Sequence, residues 1–400
     1  MKVTMLGTFP PIKGISEYCI QLAGALAGRA CHGEGCAKGA PCRSRVDVDF
    51  VSFSHIYPEA LYPGGTKELN DPLAIPMAPR LRVRRPLQWF NPPGWAWTAL
   101  RFPGQVLHVN WWTYFLAPVE LSLLFGAKLR RIPVVMTVHN VLGHETNVLD
   151  RTLTRLAFSL CDRFIVHTEE NRRQLETIFA IAPERIAVVP YGPLRFYDDA
   201  PLTRAEARAA LGLADAERVV LCFGYIRDYK GLDVLLRAMP ALLERVPDAR
   251  LVVAGTCWKG EAGWRRYQAI IDELRLGERV TLRIGYVPSS RVKAYFRAAD
   301  VCALPYRHFE AQSGPGNIAL AFGTPMVVAR TGGLPALVRD ERAVVPPGDP
   351  DALARALADC LSDPARLARM SDDSRSLAAE YSWDRIAEKT IAVYEKLLRP

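Results

Sequence analysis

Short, nearly continuous runs of Val, Ile and Leu alternate with longer helix-like stretches, and the alternation occurs twice. The first series holds VTMLGTF (3–9), VDVDFVSF (46–53), VLHVN (106–110), PVVMTVH (133–139) and RFIVHT (163–168), with helix-like EYCIQLAGALAGR (17–29) and DRTLTRLAFSLC (150–161) between them. After the polar, Pro-containing YGPLRFYDDAP (191–201) the pattern restarts with RVVLCFG (218–224), ARLVVAG (249–255), RVTLRIG (279–285), DVCALP (300–305) and PMVVA (325–329). Apolar runs without a polar face suit strands buried on both sides of a parallel sheet. Strand and helix in strict alternation predict βαβ units. The expected fold is therefore α/β, with two doubly wound Rossmann-like domains facing a central cleft. In such sheets ligands sit outside the carboxyl ends of the strands. That rule points to Thr8–Ser16, His139–Glu145, Gly224–Gly231, Gly255–Trp258, Gly285–Val287 and Tyr306–Asn317.

Four hundred residues, half of them hydrophobic and 23% charged, fit two globular cores. The formal charge of +9 favours phosphate-bearing ligands, nucleic acid or anionic membrane surfaces without choosing among them. No nucleic-acid motif is present, and the cations form no single stripe. MKVTMLGTF (1–9) reads as an opening strand rather than a secretory leader, and no run of eighteen apolar residues exists, so a cytoplasmic protein is expected. Of nine cysteines, Cys19, Cys161, Cys222, Cys257, Cys302 and Cys360 lie in apolar segments and read as reduced core residues. Cys31, Cys36 and Cys42 share a Gly-rich segment with His32, but their spacing lacks the tight pair of a structural zinc site, so the segment reads as a surface insertion with no metal.

Several stretches carry chemistry. In GYIRDYKGLDVLL (224–236) a strand ends, a loop presents Arg227 and Lys230, and Gly231 opens a helix. Two cations beside a helix N-terminus suit a diphosphate. The alternative is a solvated basic loop. In EAQSGPGN (310–317), Glu310 precedes a Gly-rich turn into a helix, where backbone N–H groups cradle anions and a carboxylate accepts sugar hydroxyls. Its plain reading is a capped surface loop. FPPIKGIS (9–16) places Gly14 between strand and helix but matches neither a Walker loop nor GxGxxG. His139 ends a strand, with His144 and Glu145 following; a lone histidine is more often structural, and only its position raises it.

In this order these blocks resemble the retaining glycosyltransferases of family 4. FGYIRDYKGLDVLL resembles that family's phosphate-binding loop. LVVAG, IGYVP, AADVCALP and AFGTPMVVARTGGLP resemble its later blocks, FPPIKGISEY its first glycine loop, TVHN its His-containing strand end and YSWDRIAEKTIAVYEKLL its final helix. The resemblance implies the two-Rossmann GT-B fold: an acceptor domain over 1–195, a nucleotide-sugar donor domain over 196–379, and a helix at about 380–400 packing back on the first. It implies a metal-independent enzyme without cofactor, with a UDP- or GDP-sugar as the favoured donor. Arg227 and Lys230 would hold the diphosphate, and Gly14 would approach it. Tyr286 and Val287 would meet the base. Glu310 would bind the sugar near its 3-hydroxyl and His139 near its 6-position. Retention would follow a front-face route.

The chain departs from the family where a second glutamate binds the ribose. Position 318 is Ile318, so Asn317 or Gln312 is expected to serve, within a QSG-type turn of Gln312, Ser313 and Gly314. The same departure admits a catalytically weakened sugar- or nucleotide-binding subunit. The acceptor is expected to be a sugar or a lipid-linked sugar of bacterial cell-surface polysaccharide or glycolipid synthesis. The basic, aromatic stretch PRLRVRRPLQWFNPPGWAWTALRF (79–102) reads either as a peripheral contact with the inner face of the cytoplasmic membrane or as a strand, a Pro-rich loop and a helix that simply pack.

Overall fold

The structure, a computed structural model, describes residues 1–10, 15–28, 46–57, 78–141, 148–197, 201–309 and 312–398. Contacts divide the chain into one unit of Met1–Gly192 with Tyr381–Pro400 and a second of Pro193–Glu380. Gly14, Cys31, His32, Cys36, Cys42, His144, Glu145 and Glu310 lie outside the described residues.

In the first unit the strands are β1 (Lys2–Leu6), β2 (Asp47–His55), β3 (Leu81–Gln88), β4 (Val106–Trp111), β5 (Val134–Val138), β6 (Arg163–Val166) and β7 (Ile186–Val188). They pair in parallel in the order β3-β2-β1-β4-β5-β6-β7. Helices α1 (Ser16–Leu26), α2 (Pro92–Arg101), α3 (Ala117–Leu129), α4 (Val148–Ser159) and α5 (Glu169–Phe179) accompany it. Apart from the exposed Lys2, the residues of β1, β4 and β5 are buried, as the unbroken apolar runs require. The order reverses between β1 and β4, which makes their carboxyl ends, Leu6 and Trp111, the switch point.

The second unit repeats the plan. Its strands β8 (Arg218–Phe223), β9 (Ala249–Gly255), β10 (Val280–Ile284), β11 (Val301–Leu304), β12 (Met326–Ala329) and β13 (Val344–Val345) form a parallel sheet ordered β10-β9-β8-β11-β12-β13. The helices are α6 (Arg204–Leu211), α7 (Leu232–Arg245), α8 (Gly260–Glu273), α9 (Ser289–Ala298), α10 (Gly314–Phe322), α11 (Pro350–Leu361) and α12 (Pro364–Glu380). Here the switch point falls between β8 and β11. Below the sheet, Asp300 accepts from the Val219 N–H at 2.7 Å and from the buried Arg208 at 2.8 Å, fixing the amino end of β8. This pairing meets the rule that buried charge is partnered.

The chain ends in α13 (Trp383–Leu398), which belongs to the first unit and packs on α1. The Tyr394 hydroxyl bonds the His108 ring on β4 at 2.5 Å, and the other ring nitrogen of His108 meets Thr137 on β5 at 2.7 Å. Trp383 packs edge-on to Tyr18 of α1, centroids 5.4 Å apart. The six cysteines read as core residues are free thiols, all buried except the half-buried Cys222. Stretch 79–102 forms a strand, β3, followed by a helix, α2.

Candidate functional site

At the carboxyl end of β8 the chain turns through Gly224 and runs beside the end of β9. The Ile226 N–H donates to Thr256 O at 2.8 Å, and the Trp258 N–H donates back to Ile226 O at 3.0 Å. This pairing fixes the direction of Arg227, whose guanidinium stacks on the Trp258 ring 3.8 Å from its centroid. A stacked guanidinium keeps its N–H fork for a ligand. Asp228 turns the other way, to Lys259 at 3.1 Å and Arg266 at 2.8 Å, so its charge is neutralised away from Arg227.

A short 3-10 turn, Asp228–Lys230, then leads to Gly231, which caps α7 at φ +69°. A Cβ at Gly231 would lie 2.0 Å from Pro305 O at the end of β11, so no larger residue fits. The backbone is thereby pressed against the switch point. The Arg307 N–H donates to Tyr229 O at 2.7 Å, tying the loop to the segment after β11.

This approach delivers Lys230. Its ammonium lies 5.5 Å from the Tyr306 ring centroid, and a Cβ on Gly224 would stand 3.4 Å from Nζ and 3.1 Å from the Pro315 ring of α10. Among the described residues no carboxylate pairs with Arg227 or Lys230. Burial, with a like-charge contribution from Arg227, pushes the Lys230 ammonium down from 10.5 to about 8. An incoming anion would relieve that cost.

The N-terminus of α10 completes the arrangement. Ser313 caps it, its Oγ accepting from the Gly316 N–H at 3.2 Å and sharing a hydrogen bond with the Tyr306 hydroxyl at 3.0 Å. The Gly314 N–H makes no bond among the described residues, Pro315 has none, and the helix dipole adds partial positive charge. Asn317 is fully buried: its Nδ2 donates to Ser313 O at 2.9 Å, and its Oδ1 has no partner among the described residues. Ile318 faces inward at 5% exposure, an apolar packing residue. Gln312 is half-buried against the Gly333 backbone, its Nε2 without a partner among the described residues. Tyr286, 41% exposed, and Val287 stand on the rim after β10. Thus Lys230 and the Ser313–Gly314 helix start lie at one switch point, with Arg227 on the same loop beside β9 and Tyr286 and Val287 two strands away.

His139 stands in the first unit, at the end of β5, 5% exposed. Its Nε2 lies 3.2 Å from Asn110 Oδ1 and its Nδ1 lies 3.1 Å from His167 Nε2. Asn110 and His167 escaped the sequence reading. His167 follows β6 just as His139 follows β5, so the strand-end rule applied to one more strand finds it. Asn110 lies within its strand, where no such signal exists.

A doubly wound unit with basic side chains and a capped helix end at its switch point defines a phosphate-binding, nucleotide-type module. Residues 203–377 match the family model "Glycosyl transferases group 1", and residues 12–192 match "Glycosyltransferase Family 4". The chain belongs to glycosyltransferase family 4, of the two-Rossmann GT-B kind. Similar curated proteins include a D-inositol 3-phosphate glycosyltransferase of Segniliparus rotundus, 34% identical over 60% of this chain and 53% of that protein. Its counterpart in Nocardia farcinica is 34% identical over 67% of this chain and 62% of the relative. The alignments thus span only half to three-fifths of these relatives. Two solved structures share the fold: sucrose-phosphate synthase from Thermosynechococcus elongatus (22% identity, TM-score 0.71, 99% of both chains) and Anabaena HepE in complex with UDP (17% identity, TM-score 0.71, 99% of this chain and 100% of that one).

Proposed function

We propose that this protein is a retaining, metal-independent glycosyltransferase that moves a sugar from a nucleoside-diphosphate donor to a hydroxyl acceptor. The observation that carries this reading is Lys230 beside the α10 N-terminus at the second switch point, with Arg227 on the same loop and no carboxylate paired to either cation among the described residues. Fixed positive charge placed where a diphosphate leaves stabilises the transition state more than the ground state. The bond from the anomeric carbon to the diphosphate oxygen breaks, and the acceptor oxygen bonds that carbon on the same face. The acceptor's proton passes to the departing diphosphate. Tyr286 and Val287 take the base, and Glu310 and His139 take the sugar. With Asn317 buried and Ile318 packed, Gln312 is the QSG-turn side chain left for the ribose. HepE, solved with UDP, supports a uridine nucleotide as the first to try.

A screen of UDP-, GDP-, ADP- and TDP-sugars without added metal tests this. One nucleotide should raise the melting temperature, and its sugar should slowly release the diphosphate. Stabilisation without any release would favour a binding subunit, and silence across all four would overturn the donor site.

The setting we propose is cell-surface polysaccharide or glycolipid synthesis at the inner face of the membrane. No helix among the described residues is long and apolar enough to cross a membrane. On α2 and the turn before it, Phe90, Trp97 and Leu100 are each more than half exposed, and Arg101 lies over the Trp97 ring at 3.4 Å. Phe125 and Leu129 of α3, which packs against α2, are also exposed. Interfacial Trp with Arg suits an anionic lipid surface. The protein is expected to sediment with anionic vesicles and not with neutral ones, and the double variant Trp97→Ala, Leu100→Ala should lose this. Equal recovery of variant and wild type would contradict it.

A further inference from the structure

Along the carboxyl rim of the first sheet a line of hydrogen bonds crosses five adjacent strands. Asn110 Nδ2 on β4 donates to Leu6 O on β1 at 3.0 Å. Asn110 Oδ1 faces His139 Nε2 at 3.2 Å, His139 Nδ1 faces His167 Nε2 at 3.1 Å, and His167 Nδ1 meets Val189 O, just past β7, at 3.0 Å. Asn110, His139 and His167 are all buried, and Tyr18 packs edge-on to both rings at 4.6 and 5.2 Å.

Counting protons shows that the line cannot be fully satisfied by neutral rings. Both ends are carbonyl acceptors. Asn110 uses its N–H on Leu6, so its oxygen asks for a proton on His139 Nε2. Val189 O asks for one on His167 Nδ1, and the contact between the rings asks for a third. Two neutral imidazoles carry two. A third is disfavoured: burial holds His139 well below its ordinary value, with His167 and His108 as further like charges, and burial pushes His167 down to about 4. One link is therefore unmade. The Val189 link is the shortest, whereas the Asn110 link is the longest and lies beside the β1/β4 switch point.

We propose that His167 is a positioning residue: anchored on Val189 O, it offers its Nε2 lone pair to His139, holds the His139 proton on Nδ1, and so leaves His139 Nε2 bare beside Asn110 Oδ1 to accept a hydrogen from a sugar hydroxyl. This rests on the transferase reading for the identity of the hydroxyl; the tautomer does not. The two adjacent acceptors make a site selective for a donor group.

The test is a long-range proton–nitrogen spectrum of protein labelled only at its seven histidines, at neutral pH, for wild type, His139→Gln to assign the ring, and His167→Phe. The expected result is a neutral His139 with its proton on Nδ1 in wild type, moving to Nε2 in His167→Phe. Sugar transfer by His167→Phe should fall by about 10–100-fold, the scale on which outer partners of a functional imidazole act, with nucleoside-diphosphate affinity unchanged. A wild-type His139 protonated on Nε2, or on both nitrogens, overturns the proposal, as does an unmoved proton in His167→Phe. If that variant does not fold, the wild-type spectrum alone decides. Because the spectrum needs no substrate, its failure is distinct from failure of the transferase reading.

Discussion

Lys230→Ala is expected to lower sugar-transfer turnover by about 10²–10³-fold, the cost of removing one preorganised group from a developing oxyanion, while leaving the ligand-free protein at least as stable as wild type. The two effects share one cause. The ammonium lies by the Tyr306 ring and next to Gly224, with no paired carboxylate among the described residues to compensate its charge before an anion binds. Its value of about 8 in the fold against 10.5 in the free side chain means that the unfolded chain binds more protons between those pH values. Stability should accordingly rise with pH across that window in wild type, and the rise should vanish in Lys230→Ala. Diphosphate release and thermal unfolding, measured on the same preparations, check both halves. A variant with near-wild-type turnover would remove Lys230 from the mechanism. A variant that unfolds much earlier than wild type would make it a structural residue.

Gly231→Ala should be among the most damaging single-methyl changes in the second unit. At φ +69° a Cβ is strained, and here it would also stand 2.0 Å from the Pro305 carbonyl oxygen, a backbone atom that cannot move without dragging β11. Strain and clash together are expected to cost about 3–5 kcal/mol, or roughly 6–20 °C in Tm for a domain of this size. Gly277→Ala is the control: its Cβ would meet nothing within 4 Å, and it should melt within about 2 °C of wild type. If the two variants melt together, the loop does not press on the switch point as described.

Much of the fold was legible because its strands are buried on both faces. Unbroken apolar runs such as PVVMTVH and ARLVVAG cannot be amphipathic helices of a surface, and their alternation with helical stretches dictates a parallel sheet. What was hidden is physically different. β7 has three residues and β13 two, too short for any period to show. α3 lacks a polar stripe: Val119, Leu121, Leu123 and Leu124 are all buried, so it reads as an apolar run rather than a helix face.

The basic loop of the second unit was legible from strand, cation and glycine spacing alone. Its partners were not. Trp258 reaches Arg227 only because β9 lies beside β8, and Tyr306 reaches Lys230 only because β11 lies on the other side. Such contacts depend on strand order, which a single chain does not spell out. The same holds for the histidine line, whose members are spread from Leu6 to Val189 and meet because β1, β4, β5, β6 and β7 are neighbours. Ile318 shows the converse: its place on the buried side of α10 makes an apolar residue the natural occupant.

The most direct test of the diphosphate cradle is calorimetric titration of the nucleoside diphosphate chosen by the donor screen into wild type and Lys230→Ala at pH 7 and pH 9. Wild type should bind clearly at pH 7 and more weakly at pH 9, where most of an ammonium titrating near 8 has lost its charge, with proton uptake on binding near the midpoint. Lys230→Ala should bind weakly at both. Equal affinity in the two proteins, or no pH dependence in wild type, would contradict the placement of the diphosphate at Lys230 and with it the account of the second unit.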